Sequence, residues 1–324
     1  MERWQRQLNA NPIPPLLDSG NAAILYFTGR DLLDKVGSAE ELWNLPAVER
    51  ILKRQQENGA WKYPGGGKEH HRAVEDYDQI ETFRILGQLV EKYGLDKRHL
   101  AIRRAAEFLF SRQTVEGDFR GIYGNQYTPN YSAAIMELLI KAGYATDACI
   151  QKGFRWLVSI RQSDGGWAIP ISTVGAKWDL KTLGGETIKP DLFKPFSHMV
   201  TGVVLRAFAA HPKYSKSKEA MTAGRLVASR FFRRDTYPGR QTADFWTKFS
   251  FPFWFTDLLS ALDSLSRLGF TVDDPQIQSA FDWFVARQLK TGTWELYALR
   301  GAKEEMHSLW ITLAICRVVK RIVG

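Results

Sequence analysis

The stretch RQSDGGW, Arg161 to Trp167, carries the pattern that decides the fold of this chain. Related stretches are RQQENGAW at 54–61, RQTVEGDF at 112–119 and RQLKTGTW at 287–294. Each copy has Arg-Gln, a few polar residues, a glycine and an aromatic residue. Four copies indicate an internally repeated architecture, which has to be settled before any other feature is interpreted.

Each copy ends an amphipathic helical pattern. In residues 146–162, TDACIQKGFRWLVSIRQ, we expect Thr146 to cap a helix with one apolar face made of Ile150, Phe154, Leu157 and Val158. Five such amphipathic segments alternate with six that are apolar on more than one side. A helix that is apolar nearly all round is buried on both sides. The six predicted inner segments are residues 20–35, 76–93, 130–143, 197–210, 252–268 and 305–322.

This alternation predicts an all-α (α/α)6 toroid, in which six outer helices surround six inner helices. The short N-terminal segment ERWQRQL supplies the sixth outer helix and closes the ring. At the end of each outer helix, the glycine of the repeat allows a turn with positive φ, and the glutamine binds backbone groups. We interpret residues 1–324 as one domain, because no linker-like stretch divides them.

Composition limits the classes of function. The chain has 44% hydrophobic and 24% charged residues, two cysteines and a net charge of +9. Its basic residues are scattered along most predicted helices, so we read them as a solvated surface and expect no nucleic-acid partner. The N-terminus lacks the apolar core of a signal peptide. We therefore expect a cytoplasmic protein, with peripheral membrane contact and oligomeric state left open.

The unequal connections predict where a site would lie. Connections from outer to inner helices are long, up to residues 163–196, whereas the reverse connections are short. Long loops are commonly functional. The rim that they form also collects the N-termini of the inner helices, whose dipoles favour anions. We therefore expect an apolar or anionic small-molecule ligand, and no cofactor.

The repeat itself resembles a known pattern. Gln, three or four residues, Gly and Trp, repeated along inner and outer helices, is similar to the QW repeat of squalene and hopene cyclases. A more degenerate form occurs in the β subunits of protein prenyltransferases. The resemblance implies an α/α toroid that acts on an isoprenoid or a similar apolar lipid. A fold does not fix an activity, so the function has to be argued from the site.

The resemblance also implies a catalytic acid. Cyclases that protonate an isoprenoid carry Asp-x-Asp-Asp at the top of an inner helix, where Asp76-Tyr77-Asp78-Gln79 stands in this chain. Asp76 and Asp78 are therefore the expected acid and its electrostatic partner. Gln79 departs from the family pattern and puts protonation chemistry in doubt. Carboxylates at helix N-termini are equally expected as simple caps.

Other residues on this rim are candidates for substrate binding or for a metal. The aromatic run FWTKFSFPFWFTD, residues 245–257, suits an apolar pocket, a packed core or stabilisation of a carbocation. Prenyltransferase β subunits hold zinc through Asp-x-Cys, but Lys248-Phe249-Ser250 stands at that position without a thiolate, so we expect no metal. The expected substrate-binding residues are Tyr131, His198, Phe253, Trp254 and His307.

Three alternatives to a cyclase stay open at this point. The toroid could bind a lipid without transforming it, or act on saccharides through carboxylates on opposite sides of the rim. It could also be a scaffold whose own side chains fill the cavity.

Overall fold

A computed structural model describes residues 2–65, 74–239, 241–299 and 306–324. Within these residues, β-type pairing is limited to isolated bridges, and the regular structure is helical. The α-helices in chain order are α1 (Ile13–Leu17), α2 (Ala22–Leu32), α3 (Pro46–Leu52), α4 (Val74–Tyr93), α5 (Leu100–Ser111), α6 (Pro129–Leu139), α7 (Ala148–Ser159), α8 (Pro170–Thr173), α9 (Leu180–Gly184), α10 (His198–Ala210), α11 (Lys218–Ala228), α12 (Leu258–Arg267), α13 (Pro275–Val285) and α14 (His307–Val323).

Six of these helices form a closed inner ring. In order they are α2, α4, α6, α10, α12 and α14, each packs against the next, and α14 returns to α2. Helices α3, α5, α7, α11 and α13 lie outside and pack against inner neighbours. The predicted (α/α)6 toroid is confirmed.

The sixth outer position is built differently from the prediction. A 3₁₀ turn at Trp4–Gln7 packs on α14, and the short helix α1 packs on both α2 and α14. Pro14 and Pro15 lie in the first turn of α1, where the missing N–H groups would be unpaired in any case. The N-terminal segment therefore closes the ring as expected, but with two short turns.

The boundaries of two helices correct the sequence prediction. Asp147, not Thr146, caps α7 by accepting the N–H of Cys149 at 2.8 Å, and Val158 is 40% exposed because it lies off the face that buries Ile150, Phe154 and Leu157. Helix α12 begins at Leu258, six residues later than predicted. The sixth inner prediction begins at residue 305, outside the described residues, and α14 is described from His307.

The repeated glutamine joins neighbouring outer helices. In three copies its Nε2 donates to the glycine carbonyl of the same copy and to a carbonyl at, or just before, the start of the next outer helix. The fourth, Gln162, instead bonds carbonyls in the connection that precedes α10. The acceptors, at 2.8–3.0 Å, are Gly59 and Ala101 for Gln55, Gly117 and Cys149 for Gln113, and Gly292 and Ala10 for Gln288.

The aromatic residue of each copy ties the turn to both layers. Trp61, Trp167 and Trp294 donate their indole N–H to the carbonyl ten residues earlier, on the outer helix that has just ended. The backbone N–H of each aromatic residue donates to a hydroxyl on the following inner helix. These bonds of 2.8–3.2 Å run from Trp61, Phe119, Trp167 and Trp294 to Thr82, Ser132, Thr201 and Thr312.

Glycine is required where these turns meet the next outer helix. Gly59 and Gly292 have φ of 87° and 88°. A Cβ at Gly59 would lie 2.2 Å from the carbonyl oxygen of Arg104, and one at Gly292 would lie 2.3 Å from that of Asn11. Both the positive φ and the close approach exclude a larger residue.

The long connections run from outer to inner helices on one rim of the ring, and the longest contains α8 and α9. Across the described part of the chain, no helix combines the length and the apolarity that crossing a bilayer requires.

The glutamine bridge predicts a stability effect. Gln113→Leu leaves two backbone carbonyls without their side-chain donor, and should lower the free energy of unfolding by about 2–4 kcal/mol. Urea unfolding followed by circular dichroism measures this. Gln278→Leu is the matched control, because the Gln278 amide bonds only the exposed side chain of Asp282. Equal losses in the two variants would contradict a structural role for the bridge.

Candidate functional site

A cavity of about 610 Å³ lies within the inner ring. Its size falls in the range of about 300–1,000 Å³ that is usual for small-molecule sites. Helices α4, α6 and α10 and the segment before α12 form its wall. The lining residues are Phe83, Arg84, Gly87, Gln88, Glu91, Glu137, Leu138, Arg206, Phe245, Ser250, Phe251, Pro252, Phe253, Trp254, Phe255 and Leu299.

Residues 250–255 are not helical, and their aromatic side chains form part of the cavity wall. The hydroxyl of Ser250 accepts the N–H of Trp254 at 3.1 Å, and that of Thr256 donates to the carbonyl of Met199 on α10 at 2.7 Å. A Cβ at Gly202 would lie 2.4 Å from Thr256 side-chain atoms, so glycine permits this approach. The capping box of Asp257 and Ser260 then starts α12.

The aromatic rings of the wall pack against one another. The ring centroids of Phe83 and Trp254 are 5.2 Å apart, and those of Phe251 and Phe253 are 5.5 Å apart with nearly perpendicular planes. Phe251 also stacks on Trp310 of α14. These contacts fix the ring orientations, so the wall presents preformed apolar and π surface.

The floor of the cavity is ionic. Arg206 Nε donates to Glu137 Oε2 at 2.8 Å, and Lys141 Nζ bonds both Glu137, at 2.7 Å, and Glu91. Burial opposes ionisation of Glu137, but Arg206 and Lys141 outweigh it and lower the pKa of its carboxyl. Glu91, Glu137 and Arg206 lie in the C-terminal halves of their helices, away from the long-loop rim.

The predicted substrate-binding residues fall into two groups. Phe253 and Trp254 line the cavity. Tyr131 lies behind the wall, with its ring in edge contact with Phe83 at 6.2 Å. His307 is the first residue of α14 and is half-buried. Neither Tyr131 nor His307 is among the described residues that line the cavity.

His198 lies in a separate buried cluster. Its ring stacks on Trp246 at 4.8 Å, and its Nδ1 is 3.1 Å from Asp235 Oδ1. Asp235 also accepts the Ser197 hydroxyl at 2.6 Å. Burial lowers the pKa of His198 to about 4, although the Asp235 carboxylate opposes this shift. The imidazole is therefore neutral at pH 7.

The two predicted acids contact the outer layer of the toroid. Asp76 forms an ion pair with Arg112 at the end of α5. Asp78 accepts the N–H of Tyr63 at 2.8 Å and the amide of Gln56 at 2.9 Å. Both carboxylates are buried, and the described lining of the cavity includes neither. Their role as acid and partner stays a prediction.

Sequence reasoning missed the floor residues. Glu137 lies in the apolar stretch NYSAAIMELLIKAG, and Arg206 lies in SHMVTGVVLRAFAA. A charged residue inside a helix that is apolar all round has to pair with another charge or bind a ligand. A charged residue in such a helix is therefore the sequence signal that could have identified Glu137 and Arg206. Among the described residues, no three His, Cys, Asp or Glu side chains converge closely enough to hold a metal ion.

Sequence comparison connects part of the chain to terpenoid cyclases. A family profile described as the squalene-hopene cyclase C-terminal domain matches residues 69–178, about a third of the chain. The squalene–hopene cyclase of Bradyrhizobium diazoefficiens is 25% identical over 231 residues, 63% of this chain, and that of Zymomonas mobilis is 22% identical over 174 residues, 51% of this chain. The chain spans only 31% and 26% of these relatives' lengths. The predicted resemblance is confirmed at this level.

Solved structures with related folds have diverse activities. A variant of the type II terpene cyclase MstE from Scytonema aligns over 92% of this chain and 85% of its own, with a TM-score of 0.47 and 14% identity. A glycosyl hydrolase of family 88 from Bacteroides vulgatus aligns over 98% and 93%, with a TM-score of 0.49 and 15% identity. At these values neither transfers a function to this chain.

The cap of α12 predicts a pH-dependent stability. Burial raises the pKa of Asp257 from 3.8 to about 7. The folded protein therefore binds more protons than the unfolded chain between about pH 4 and pH 7, so the contribution of this group to stability is greatest below pH 4 and is lost as pH rises through 7. An asparagine at this position would cap the helix without titrating. Asp257→Asn should flatten this loss and, at pH 8, raise the free energy of unfolding by on the order of 1–4 kcal/mol.

Urea midpoints at pH 4.5, 6 and 8 measure the difference. Asp147→Asn makes the same exchange at the half-buried cap of α7 and controls for the exchange itself. Parallel pH profiles for the parent and Asp257→Asn would show that Asp257 does not titrate in this window.

Proposed function

We propose that the central cavity binds an isoprenoid or a similar apolar lipid. The observation that carries this proposal is the aromatic wall, in which Phe251, Phe253, Trp254 and Phe255 surround a cavity of about 610 Å³. Burying an apolar chain against such a wall contributes about 25 cal/mol per Å² of apolar area. The rings are already ordered by mutual contacts, so binding needs little reorganisation.

A wall of this composition favours a lipid over a saccharide. Hydrolysis of a glycoside needs two carboxyl groups facing each other across the bound sugar. Among the described residues, the carboxylates that line this cavity are Glu91 and Glu137, and both are bonded to Lys141 at the floor. The scaffold alternative loses support because the side chains of the described residues leave the cavity open.

A second candidate function is cyclisation of the bound lipid, with Asp76 as the acid and Asp78 as its electrostatic partner. It is favoured by the profile match over residues 69–178, which includes both acids. An acid of this kind must transfer a proton to a carbon–carbon double bond, so it has to approach the bound chain. Asp76 would have to break its ion pair with Arg112 to do so. We therefore rank lipid binding as the first proposal and cyclisation as the second.

Membrane contact and a cytoplasmic location stay predictions. Trp178, Leu180 and Phe193 are exposed on the longest connection, beside Lys177 and Lys181. Aromatic and aliphatic side chains next to lysines are typical of surfaces that contact the membrane interface. This observation is the support for peripheral contact.

Binding can be tested directly. Native mass spectrometry of the freshly purified protein would reveal a co-purified lipid, and quenching of tryptophan fluorescence would measure the affinity for C15 to C20 isoprenoids. Trp254→Ala should weaken binding by at least about tenfold, because burying an aromatic face contributes on the order of 1.5–3 kcal/mol. Trp43→Ala is the control, since Trp43 is also half-buried but bonds Gly94 away from the cavity. Equal affinities in both variants would overturn the assignment of this cavity.

Cyclisation has its own test. The protein is incubated with squalene and with C15 to C20 prenyl diphosphates, and products are analysed by mass spectrometry. Asp76→Asn and Asp78→Asn should each reduce any cyclised product by at least about a hundredfold. Arg112→Gln is the matched control, because it breaks the same ion pair but keeps both acids. No product from any substrate, or product that persists in both Asn variants, would reject the cyclase function and leave the binding proposal standing.

A further inference from the structure

Arg206 brings a cation from α10 to the central cavity. It lies in the third turn of the helix, lines the cavity and is only 3% exposed. Its Nε donates to Glu137 Oε2 at 2.8 Å. Its Nη1 is also buried, and no acceptor for it is present among the described residues.

A buried guanidinium N–H without an acceptor is unfavourable by on the order of 1–3 kcal/mol, and by more for a charged group. Arg206 cannot relieve this by losing its proton, because a guanidinium stays charged in proteins. It is also held in place by Glu137, whose carboxylate is shared with Lys141. Nη1 itself is covered, so an acceptor that enters through the cavity would satisfy this donor once the guanidinium turns toward the cavity.

The charge of the guanidinium favours an anion as that acceptor. Arg206 and Lys141 pair with Glu137 and Glu91, and a second group of charges on α12 and α14 lies within electrostatic range of Lys141. In the second group, Asp263 bonds Arg267 at 3.0 Å and also pairs with Arg321. The described cluster formed by both groups contains four cations, Lys141, Arg206, Arg267 and Arg321, against three carboxylates, Glu91, Glu137 and Asp263. The ion pairs around Arg206 itself are balanced, and the extra cation belongs to the Asp263 group, where Arg267 is exposed and Arg321 half-buried. The preference for an anion therefore comes from the Arg206 guanidinium, because hydrogen bonds between charged partners are the stronger ones.

We propose that Arg206 determines the specificity of the cavity by binding a carboxylate at one end of an isoprenoid-like chain. The hydrocarbon would lie along Phe83, Phe253 and Trp254, and a carboxylate oxygen would accept the Nη1 hydrogen bond at the floor. The anionic end would thus lie away from the long-loop rim. The helix dipoles alone would instead favour an anion at that rim. This inference rests on the proposed function and excludes a pure hydrocarbon as the preferred ligand.

The test compares ligands that differ only at one end. A C20 isoprenoid acid, the corresponding alcohol and the corresponding hydrocarbon are titrated against the full chain, with tryptophan fluorescence as the readout. The acid should bind at least about tenfold more tightly than the alcohol, because hydrogen bonds to charged groups are the stronger ones. Arg206→Met combined with Glu137→Gln removes both members of the ion pair and should make the acid and the alcohol bind equally.

Two further variants keep the test decisive. Arg206→Lys retains the charge of the cluster but not the guanidinium, and should reduce the preference severalfold even if the double variant does not fold. Arg267→Met removes a cation from the same cluster, but Arg267 does not line the central cavity among the described residues, so the preference should persist. Circular dichroism confirms that each variant is folded.

The outcomes separate this inference from the proposed function. If the acid and the alcohol bind the parent protein equally, the role of Arg206 is wrong while lipid binding stands. If Arg267→Met abolishes the preference as fully as the Arg206 variants do, the field of the cluster and not Arg206 selects the ligand. If none of the three compounds binds, the proposed function itself fails.

Discussion

The hydrogen bonds of the repeated glutamines are the constraint on which the ring depends. Gln55, Gln113 and Gln288 use one amide group to bond the turn and the start of the next outer helix at once. The last of these bonds reaches Ala10, so the same contact that connects successive helices also joins the end of the chain to its beginning. At these three joints the ring is therefore held by the same local interaction, whereas Gln162 bonds the connection that precedes α10.

The fold could be predicted because its signals are local. The repeat marks the ends of outer helices, and the apolar character of the intervening segments marks the inner ones. The prediction was wrong where two local rules compete. Residues 252–257 continue the apolar pattern of the inner helix that follows them. However, Asp257 and Ser260 form the capping box that starts α12 only at Leu258. Six residues were thereby assigned to a helix although the first four of them line the cavity, and hydrophobic periodicity cannot distinguish the two cases.

The candidate site could be predicted only in part. The aromatic run pointed to Phe253 and Trp254, which lie in the wall, because clustered aromatic residues signal apolar surface whatever the backbone does. Tyr131 and His198 lie on the expected inner helices but outside the described lining of the cavity, since the side of a helix that faces a cavity depends on tertiary packing. Arg206 was overlooked because a sequence does not show which polar groups remain without a partner after folding.

The ionic floor is the part of the toroid that packing alone does not explain. A buried ion network stabilises a fold weakly, and well-packed apolar residues of similar volume are often as stable or more so. A network that served only to fix the register of the inner helices would pair its charges internally, as Lys141 does with Glu91 and Glu137. Arg206 departs from that pattern, because one of its buried donors has no described acceptor while the residue lines the cavity. Arg206 lies where the apolar wall of the cavity ends and its charged floor begins. An amphipathic ligand would require this arrangement.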